Sequence, residues 1–245
     1  MSSPFPGFPR EGLEFFRGLA RHNNREWFQP RKPVFEEQVK RPMRELVEKL
    51  NAAMMKFAPE YVTDPDKAIY RIYRDTRFSK DKTPYKDHIA ASFPRHGAAN
   101  HGDAGYYVAV SHKEVAVGGG VYMPEPPTLL AIRNHIAERH LELRKILKAP
   151  AVRRLLGELQ GEELTRVPKG FCSEHPAADL LRRKRFILYV ELAPDLATTP
   201  ALYGEVLARF RAMVPFLQFL TAPLAKQAKE REAPGGHFFS GMVQR

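Results

Sequence analysis

The spacing of the apolar residues first changes near residue 58, and this change limits the folds that the chain can adopt. Upstream, apolar residues recur every three or four positions from Phe35 to Phe57, which predicts an amphipathic helical stripe. Downstream, short segments rich in Ile, Val, Tyr and Phe are separated by turn residues, a pattern typical of strands. Helices followed by neighbouring short strands are typical of the α+β class.

Several segments have the residue types of strands, so we predict an antiparallel sheet of about six strands. The first four follow one another closely and are expected to form a meander, and the last is the most continuously apolar. The predicted strands cover residues 67–79, 88–94, 105–112, 114–123, 162–168 and 185–194.

Helices are predicted to pack on this sheet from the N-terminal part, from an insertion and from the C-terminal part of the chain. Pro42 lies inside the first apolar stripe and should kink or restart that helix. Prolines flank an inserted helix over about 124–150, and a last helix is expected over about 199–217. Residues 1–224 show no strong linker and are predicted to form one domain, while the polar residues 225–245 are expected to form a mobile tail.

The cysteine content and the apolar runs bear on the compartment. The chain has 245 residues and one cysteine, Cys172, which rules out an internal disulfide and favours a reducing setting. The first ten residues do not resemble a signal peptide, and the longest apolar runs are too short to span a bilayer. We therefore expect a cytoplasmic protein without a membrane partner.

The charge balance favours anionic partners. Lys and Arg number 39 against 28 Asp and Glu, which gives a formal net charge of +11. Such an excess suits nucleic acid, phosphorylated metabolites or an acidic surface, although solubility alone also accounts for it.

The segment "RIYRDTRFSKDKTPYK", residues 71–86, concentrates that charge beside aromatic residues. If 69–78 is extended, alternation places Arg71, Tyr73, Asp75 and Arg77 on one face. Asp75 would then hold one guanidinium by paired hydrogen bonds and leave another for an outside anion. Ion pairs on an exposed sheet face, or a buried Arg–Asp network that fixes the sheet to its helices, are the structural alternatives.

This segment also carries a family resemblance. Its spacing, R-x-x-R-D-x-R-F-x-x-x-K-x-P-Y-K, resembles the signature of a bacterial and fungal family, domain of unknown function 2461. The segments "FFRGLARHNNREWF", "GGGVYMPEP" and "RVPKGF" resemble that family too, so the likeness extends over roughly residues 5–222. The resemblance implies that 71–86 is the hallmark of the family, but it implies no activity and no catalytic residue. The positions that fill the signature are Arg71, Arg74, Asp75, Arg77, Phe78, Lys82, Pro84, Tyr85 and Lys86.

Two further segments offer groups that suit an anion. Gly118, Gly119 and Gly120 end a predicted strand, where glycine permits either a bulge or a close approach of the backbone to a ligand. Lys169 precedes the basic run 182–185 and would extend a basic surface.

Three functions remain open from the sequence: a binding module for an anionic small molecule or nucleic acid, an enzyme acting on an anionic substrate, or a structural domain with an internal Arg–Asp network. No catalytic residue is assigned, no metal site or cofactor is expected, and the oligomeric state stays open. The candidate ligand-binding residues are Arg71, Arg74, Asp75, Arg77, Lys82, Tyr85, Lys86, Gly118, Gly119, Gly120 and Lys169.

Overall fold

Four strands form one antiparallel sheet in which spatial order equals chain order. In this computed structural model, residues 4–96 and 103–232 are described, with side chains as far as Leu224. The α+β class and the antiparallel sheet are thereby confirmed. The strands are β1 (His88–Pro94), β2 (Gly105–Ser111), β3 (Val115–Val121) and β4 (Phe186–Leu192).

The predicted number of strands was too high, because two of the six segments make only isolated bridges. Residues 67–79 form two isolated bridges. One joins Ile69 to Ala91 in β1, and the other joins Tyr73 to Tyr85 in the segment just before β1. The interval from Tyr85 to Ala91 is two residues longer than that from Ile69 to Tyr73, so a regular ladder cannot continue between the bridges. Residues 162–168 likewise contribute one bridge, Glu163–Arg183.

Short helical pieces and two longer helices precede the sheet. The predicted restart at Pro42 is confirmed: a π-helical turn, Glu36–Lys40, leads into a helix whose first turn contains Pro42. Since proline lacks the N–H of the normal ladder, the wider turn accommodates it at this point. The helices are α1 (Arg10–Arg21), α2 (Arg25–Phe28), α3 (Lys32–Phe35), α4 (Arg41–Met54) and α5 (Pro65–Ala68), with 3₁₀ turns at Gln29–Arg31 and Pro59–Tyr61.

The remaining helices lie within and after the β3–β4 connection. The predicted inserted helix is α6, and the predicted last helix extends past residue 217 as α9. The predicted tail starts at residue 225, whereas α9 continues to Glu232; residues 233–245 lie outside the described residues, so their mobility stays a prediction. The bounds are α6 (Pro126–Lys148), α7 (Pro150–Leu156), α8 (Ala178–Leu181) and α9 (Ala201–Glu232), with a 3₁₀ turn at Pro194–Thr198.

One face of the sheet forms the core. Aliphatic residues alternate along each strand and meet across the register, as in the row Ala91, Val108, Val117 and Val190. Helix α9 packs behind this face, where Phe210 contacts the rings of Phe93 and Tyr106. Burial of these side chains is the main favourable term for the fold. The alternate residues point to the opposite face, which borders a cavity.

Candidate functional site

A cavity of about 710 Å³ lies on the open face of the sheet and crosses all four strands. Its size falls in the range of small-molecule sites, about 300–1,000 Å³. It is lined by Tyr70, Lys86, His88, Ala90, Ser92, Pro94, Asp103, Gly105, Tyr106, Tyr107, Gly118, Gly119, Gly120, Tyr122, Met123, Gln160, Ile187 and Tyr189.

Glycine makes the floor of this cavity. Gly118 stands in register between Tyr107 of β2 and Tyr189 of β4. A Cβ at position 118 would lie 3.0 Å from Cδ2 of Tyr189, so the tyrosine ring already occupies the space above the glycine. At the next such position on the strand, Gly120 has a φ of 132°, a conformation that favours glycine. The glycine run therefore gives the tyrosine rings room over β3.

Four tyrosines surround this floor. Tyr107 and Tyr189 rise from β2 and β4, while Tyr70 and Tyr122 stand on the segments beside the sheet. Burial, with Tyr189 and Tyr70 nearby, raises the pKa of Tyr107 well above its ordinary value. Burial also raises the pKa of Tyr189. Both hydroxyls therefore stay protonated at neutral pH and offer hydrogen-bond donors beside flat aromatic faces.

Cations stand at two sides of the cavity, each against a tyrosine ring. The Nζ atom of Lys86 is 5.0 Å from the centre of the Tyr70 ring, and the Arg185 guanidinium is 4.6 Å from that of Tyr122. Burial and the nearby Arg71 lower the pKa of Lys86. A lysine that is partly desolvated beside another cation gains from an anion brought into the cavity.

Acidic and imidazole groups complete the lining. Asp103 accepts a hydrogen bond from Nη2 of Arg95 at 3.0 Å, so its charge is already paired. His88 lies 3.3 Å from the Asp87 carboxylate through Nδ1, and Asp87 also accepts from Lys113 at 3.0 Å. Among the described residues, no group of three or more His, Cys, Asp or Glu side chains is arranged to hold a metal ion.

Four of the candidate ligand residues meet in this cavity: Lys86, Gly118, Gly119 and Gly120. Their roles differ. Gly119 faces the core, where its missing side chain leaves room for Sδ of Met213, whereas Gly118 and Gly120 face the cavity. Side chains thus approach the backbone of β3 closely on both of its faces, Met213 at Gly119 and Tyr189 at Gly118.

The other members of the 71–86 segment bind one another instead. Asp75 accepts from Nε and Nη2 of Arg77 at 3.0 and 2.8 Å, and these bonds lower its pKa to about 2. Arg74 donates to the Asp81 carboxylate and to the Thr83 hydroxyl. Lys82 donates to the carbonyl of Thr76 at 2.9 Å. The expected paired bond to Asp75 is present, but Arg74, Asp75, Arg77 and Lys82 do not line the cavity.

The prediction that side chains alternate regularly between two faces over 69–78 is wrong, because the ladder with the segment 85–91 is interrupted. Ile72 is buried in the core while Tyr70, two residues earlier, lines the cavity, so the two do not share a face. Arg71 is exposed and close enough to Lys86 to lower its pKa. We call this segment, residues 69–86, the ribbon.

Tyr85 and Lys169 lie outside the cavity lining. The Tyr85 ring is buried and stacks on Phe28 with 4.2 Å between centres. Its backbone exchanges two hydrogen bonds with the side chain of Asn23, at 3.0 and 2.9 Å, which joins the ribbon to the end of α1. Tyr85 is therefore a packing residue. Lys169 is exposed in the loop before α8.

The sequence reasoning missed the tyrosines. Tyrosine in strands is usually a packing residue, and Tyr107 and Tyr189 are far apart in the chain. The available signal was Gly118: a glycine inside a strand marks a place where something approaches closely, and here it is the ring of the cross-strand neighbour.

Comparison with known proteins assigns the family. The family described as "Conserved hypothetical protein (DUF2461)" matches residues 11–219, and the chain therefore belongs to it. Neither a curated protein nor a solved structure matches the chain at a significant level. No helix within the described residues is long and apolar enough to cross a membrane.

Proposed function

We propose that this member of the conserved hypothetical family is a binding module, and that the open face of its sheet binds a small ligand carrying both a flat aromatic ring and an anionic group. A nucleotide has this chemistry. The observation that carries the proposal is the set of four tyrosines around the Gly118 floor, with Lys86 beside them.

The aromatic ring of the proposed ligand matches the tyrosines of the lining, and its anionic group matches Lys86. A flat ring fits against tyrosine faces, since stacking on an aromatic side chain stabilises a base by about 1–3 kcal/mol. The anionic group fits beside Lys86, whose charge lacks an ion-pair partner among the described residues and is repelled by Arg71. An anion there relieves the repulsion and restores part of the lost solvation.

A second candidate function is an enzyme acting on the same anionic ligand. His88 lines the cavity with Nδ1 beside Asp87, an arrangement that fixes the orientation of an imidazole for proton transfer through Nε2. Binding remains the first proposal because Asp87 is shared with Lys113 and no nucleophile lies beside His88 among its described partners.

The test is titration calorimetry with mononucleotides and, for comparison, sugar phosphates that lack an aromatic ring. The variants Tyr70→Leu and Lys86→Gln remove one stacking face and one cation. Tyr73→Leu and Lys82→Gln are matched controls, because both lie in the ribbon and neither lines the cavity. Thermal melts of all four variants report whether each is folded.

We expect micromolar to millimolar binding of a nucleotide, reduced about fivefold or more by Tyr70→Leu and about tenfold by Lys86→Gln. The two controls should bind within twofold of wild type. Equal loss in Tyr73→Leu and Tyr70→Leu, or no binding by any nucleotide, would refute the proposed site. Turnover of the bound ligand that disappears in His88→Asn would establish the enzyme instead.

A further inference from the structure

Among the residues with described side chains, Phe78 is the exposed phenylalanine. It is 95% exposed, whereas the other phenylalanines among the residues with described side chains are buried or half-buried. It lies near the tip of the ribbon, between Arg77 and a run that contains Lys80 and Lys82. A large aromatic side chain left in water beside cations suggests a surface that acquires a partner.

The tip is held in place by its own charges. The guanidinium of Arg77, fixed by Asp75, lies 5.8 Å from the centre of the Phe78 ring. The bond from Lys82 to the carbonyl of Thr76 closes the same turn. These contacts hold the turn that carries Phe78 before any partner arrives, which lowers the backbone entropy lost on binding.

The other end of the ribbon forms a wall of the cavity. Tyr70 and Lys86 both line it, and backbone bonds join the two sides of the ribbon, from Lys86 to Ile72 and from Arg74 to Pro84. Two cations between or near these ends, Arg71 and Lys80, have no ion-pair partner among the described residues. The ribbon thus carries an aromatic ring and one of these cations near each of its two ends.

Resting on the proposed function, we infer that the physiological ligand is a single-stranded nucleic acid, with one nucleotide in the tyrosine cavity and the following ones along the ribbon as far as Phe78. Phosphates would meet Arg71 and Lys80, and a second base would stack on Phe78. The chain from Tyr70 to Phe78 can reach at most about 28 Å when extended. This upper bound places the site at the short end of the range of about 4–16 nucleotides that single-strand binders cover.

A lipid surface is the competing partner for an exposed phenylalanine among cations, and it fits less well. Stable attachment to a bilayer takes more than one membrane signal, and a single ring at the tip supplies little buried apolar area. The rings at the other end lie in a concave cavity, which a planar bilayer cannot enter. A flexible polyanion with a ring on every unit can occupy both ends at once.

The experiment measures affinity for thymidine monophosphate and for oligothymidylates of two, four and eight nucleotides, at 50 and 200 mM salt. The proteins are wild type, Phe78→Ala, Lys80→Gln and the control Leu141→Ala. Leu141 is 73% exposed on α6 and lies outside the cavity lining, so it matches the loss of an exposed apolar side chain. Vesicles containing phosphatidylserine are titrated in parallel.

We expect the octamer to bind at least about tenfold more tightly than the monophosphate. Phe78→Ala should weaken the octamer about 5- to 150-fold, the range for loss of one stacked base, and leave the monophosphate within twofold. Lys80→Gln should reduce the slope of log affinity against log salt by about 0.7 for the octamer only. Leu141→Ala should match wild type throughout.

Distinct outcomes overturn the inference and the proposed function. If the monophosphate binds but the octamer gains nothing, or if Phe78→Ala leaves the octamer unchanged, the extended site is wrong and the cavity remains. If neither the monophosphate nor any oligomer binds, the proposed function itself fails. Binding to vesicles that is lost in Phe78→Ala, with no gain for the octamer, would make the ribbon tip a membrane contact.

Discussion

The two faces of the same four strands differ in what their side chains contact. On the core face, Val108 and Val117 are fully buried beneath α9, and every position is aliphatic, aromatic or the glycine that admits Met213. On the open face, Ala109 and Ala116 form a small apolar patch, and tyrosines and glycines continue it into the cavity. Since both faces share one backbone, the difference between them comes from the side chains that each face carries.

This comparison separates positions that hold the fold from positions available to a ligand. A core position contributes through burial, and its loss is measured as stability. A position that lines the cavity is expected to contribute less to stability, and its loss is expected to appear in binding. Substitutions of neighbouring residues on one strand therefore test the comparison directly.

The largest expected effect is on β1, where neighbouring residues face opposite ways. Phe93→Ala should lower the free energy of unfolding by about 3–5 kcal/mol, because Phe93 is fully buried against Phe210. Ser92→Ala, on the cavity side, should change it by less than about 0.5 kcal/mol. Urea unfolding followed by circular dichroism measures both. Similar losses of unfolding free energy in the two variants would show that Ser92 is packed as tightly as Phe93, against the comparison of the two faces.

Substitutions of two glycines of β3 should separate the cost of backbone strain at Gly120 from the loss of cavity space at Gly118. Gly120→Ala should destabilise the protein by about 2–3 kcal/mol, because its φ of 132° disfavours a side chain and the new Cβ would collide with the carbonyl of Phe186. Gly118→Ala should cost less than that, because its Cβ would lie 3.0 Å from the Leu188 carbonyl oxygen and from Cδ2 of Tyr189, whereas the Cβ of Gly120→Ala would lie much closer to the Phe186 carbonyl oxygen.

Binding should reverse that order. Gly118→Ala narrows the space between Tyr107 and Tyr189, so its nucleotide affinity should fall severalfold although it loses less stability than Gly120→Ala. Calorimetry on the folded variants measures this. Unchanged nucleotide affinity in Gly118→Ala would show that Gly118 is not part of the binding site.

A smaller effect is expected from pH on the binding of an anionic ligand. Burial and Arg71 lower the pKa of Lys86 below its ordinary 10.5, so the amine loses its proton at a lower pH than an exposed lysine does. Affinity should therefore be steady near neutrality and fall severalfold as the pH rises toward 10. Lys86→Arg should delay that fall, because arginine stays charged. A flat profile in wild type would exclude Lys86 from the anion contact.

The smallest effect on stability should come from the ribbon charges. The triple variant Arg71→Ala/Arg74→Ala/Arg77→Ala should remain folded, with a urea midpoint close to wild type, because Asp75 is exposed and the ion pairs of this segment are solvated. Unfolding of the triple variant would instead show that the main role of the ribbon charges is structural, as an internal Arg–Asp network. Asn23→Ala is the contrast, since it removes two partly buried bonds to Tyr85 and should cost about 1–3 kcal/mol.

The sequence predicted the strands that one face buries and misjudged the ribbon. Residues 88–94, 105–112, 114–123 and 185–194 have strand composition, and each contains a strand of the sheet. Residues 67–79 have the same residue types, but the length mismatch opposite Tyr85–Ala91 interrupts the ladder. Composition records the preference of each segment for extended structure and contains no information about how two segments align.

The candidate site was predicted in part for a related reason. Lys86 and the glycine run were found because a motif and a rare composition mark them. Tyr107 and Tyr189 were missed because their proximity depends on the register between β2, β3 and β4, which the fold alone supplies. Arg77 and Lys82 were placed in the site by their charge, and the structure directs them to Asp75 and Thr76 instead.

The long connection between β3 and β4 has a consequence for how the protein is made. Val121 pairs with Phe186 across all of α6, α7 and α8, so β4 can join the sheet only after that whole insertion has left the ribosome. The first three strands are local hairpin partners and can associate early, whereas the wall formed by Gln160, Ile187 and Tyr189 closes late. A truncated nascent chain would thus present a half-built cavity, and the proposed ligand could bind only once synthesis of the domain is nearly complete.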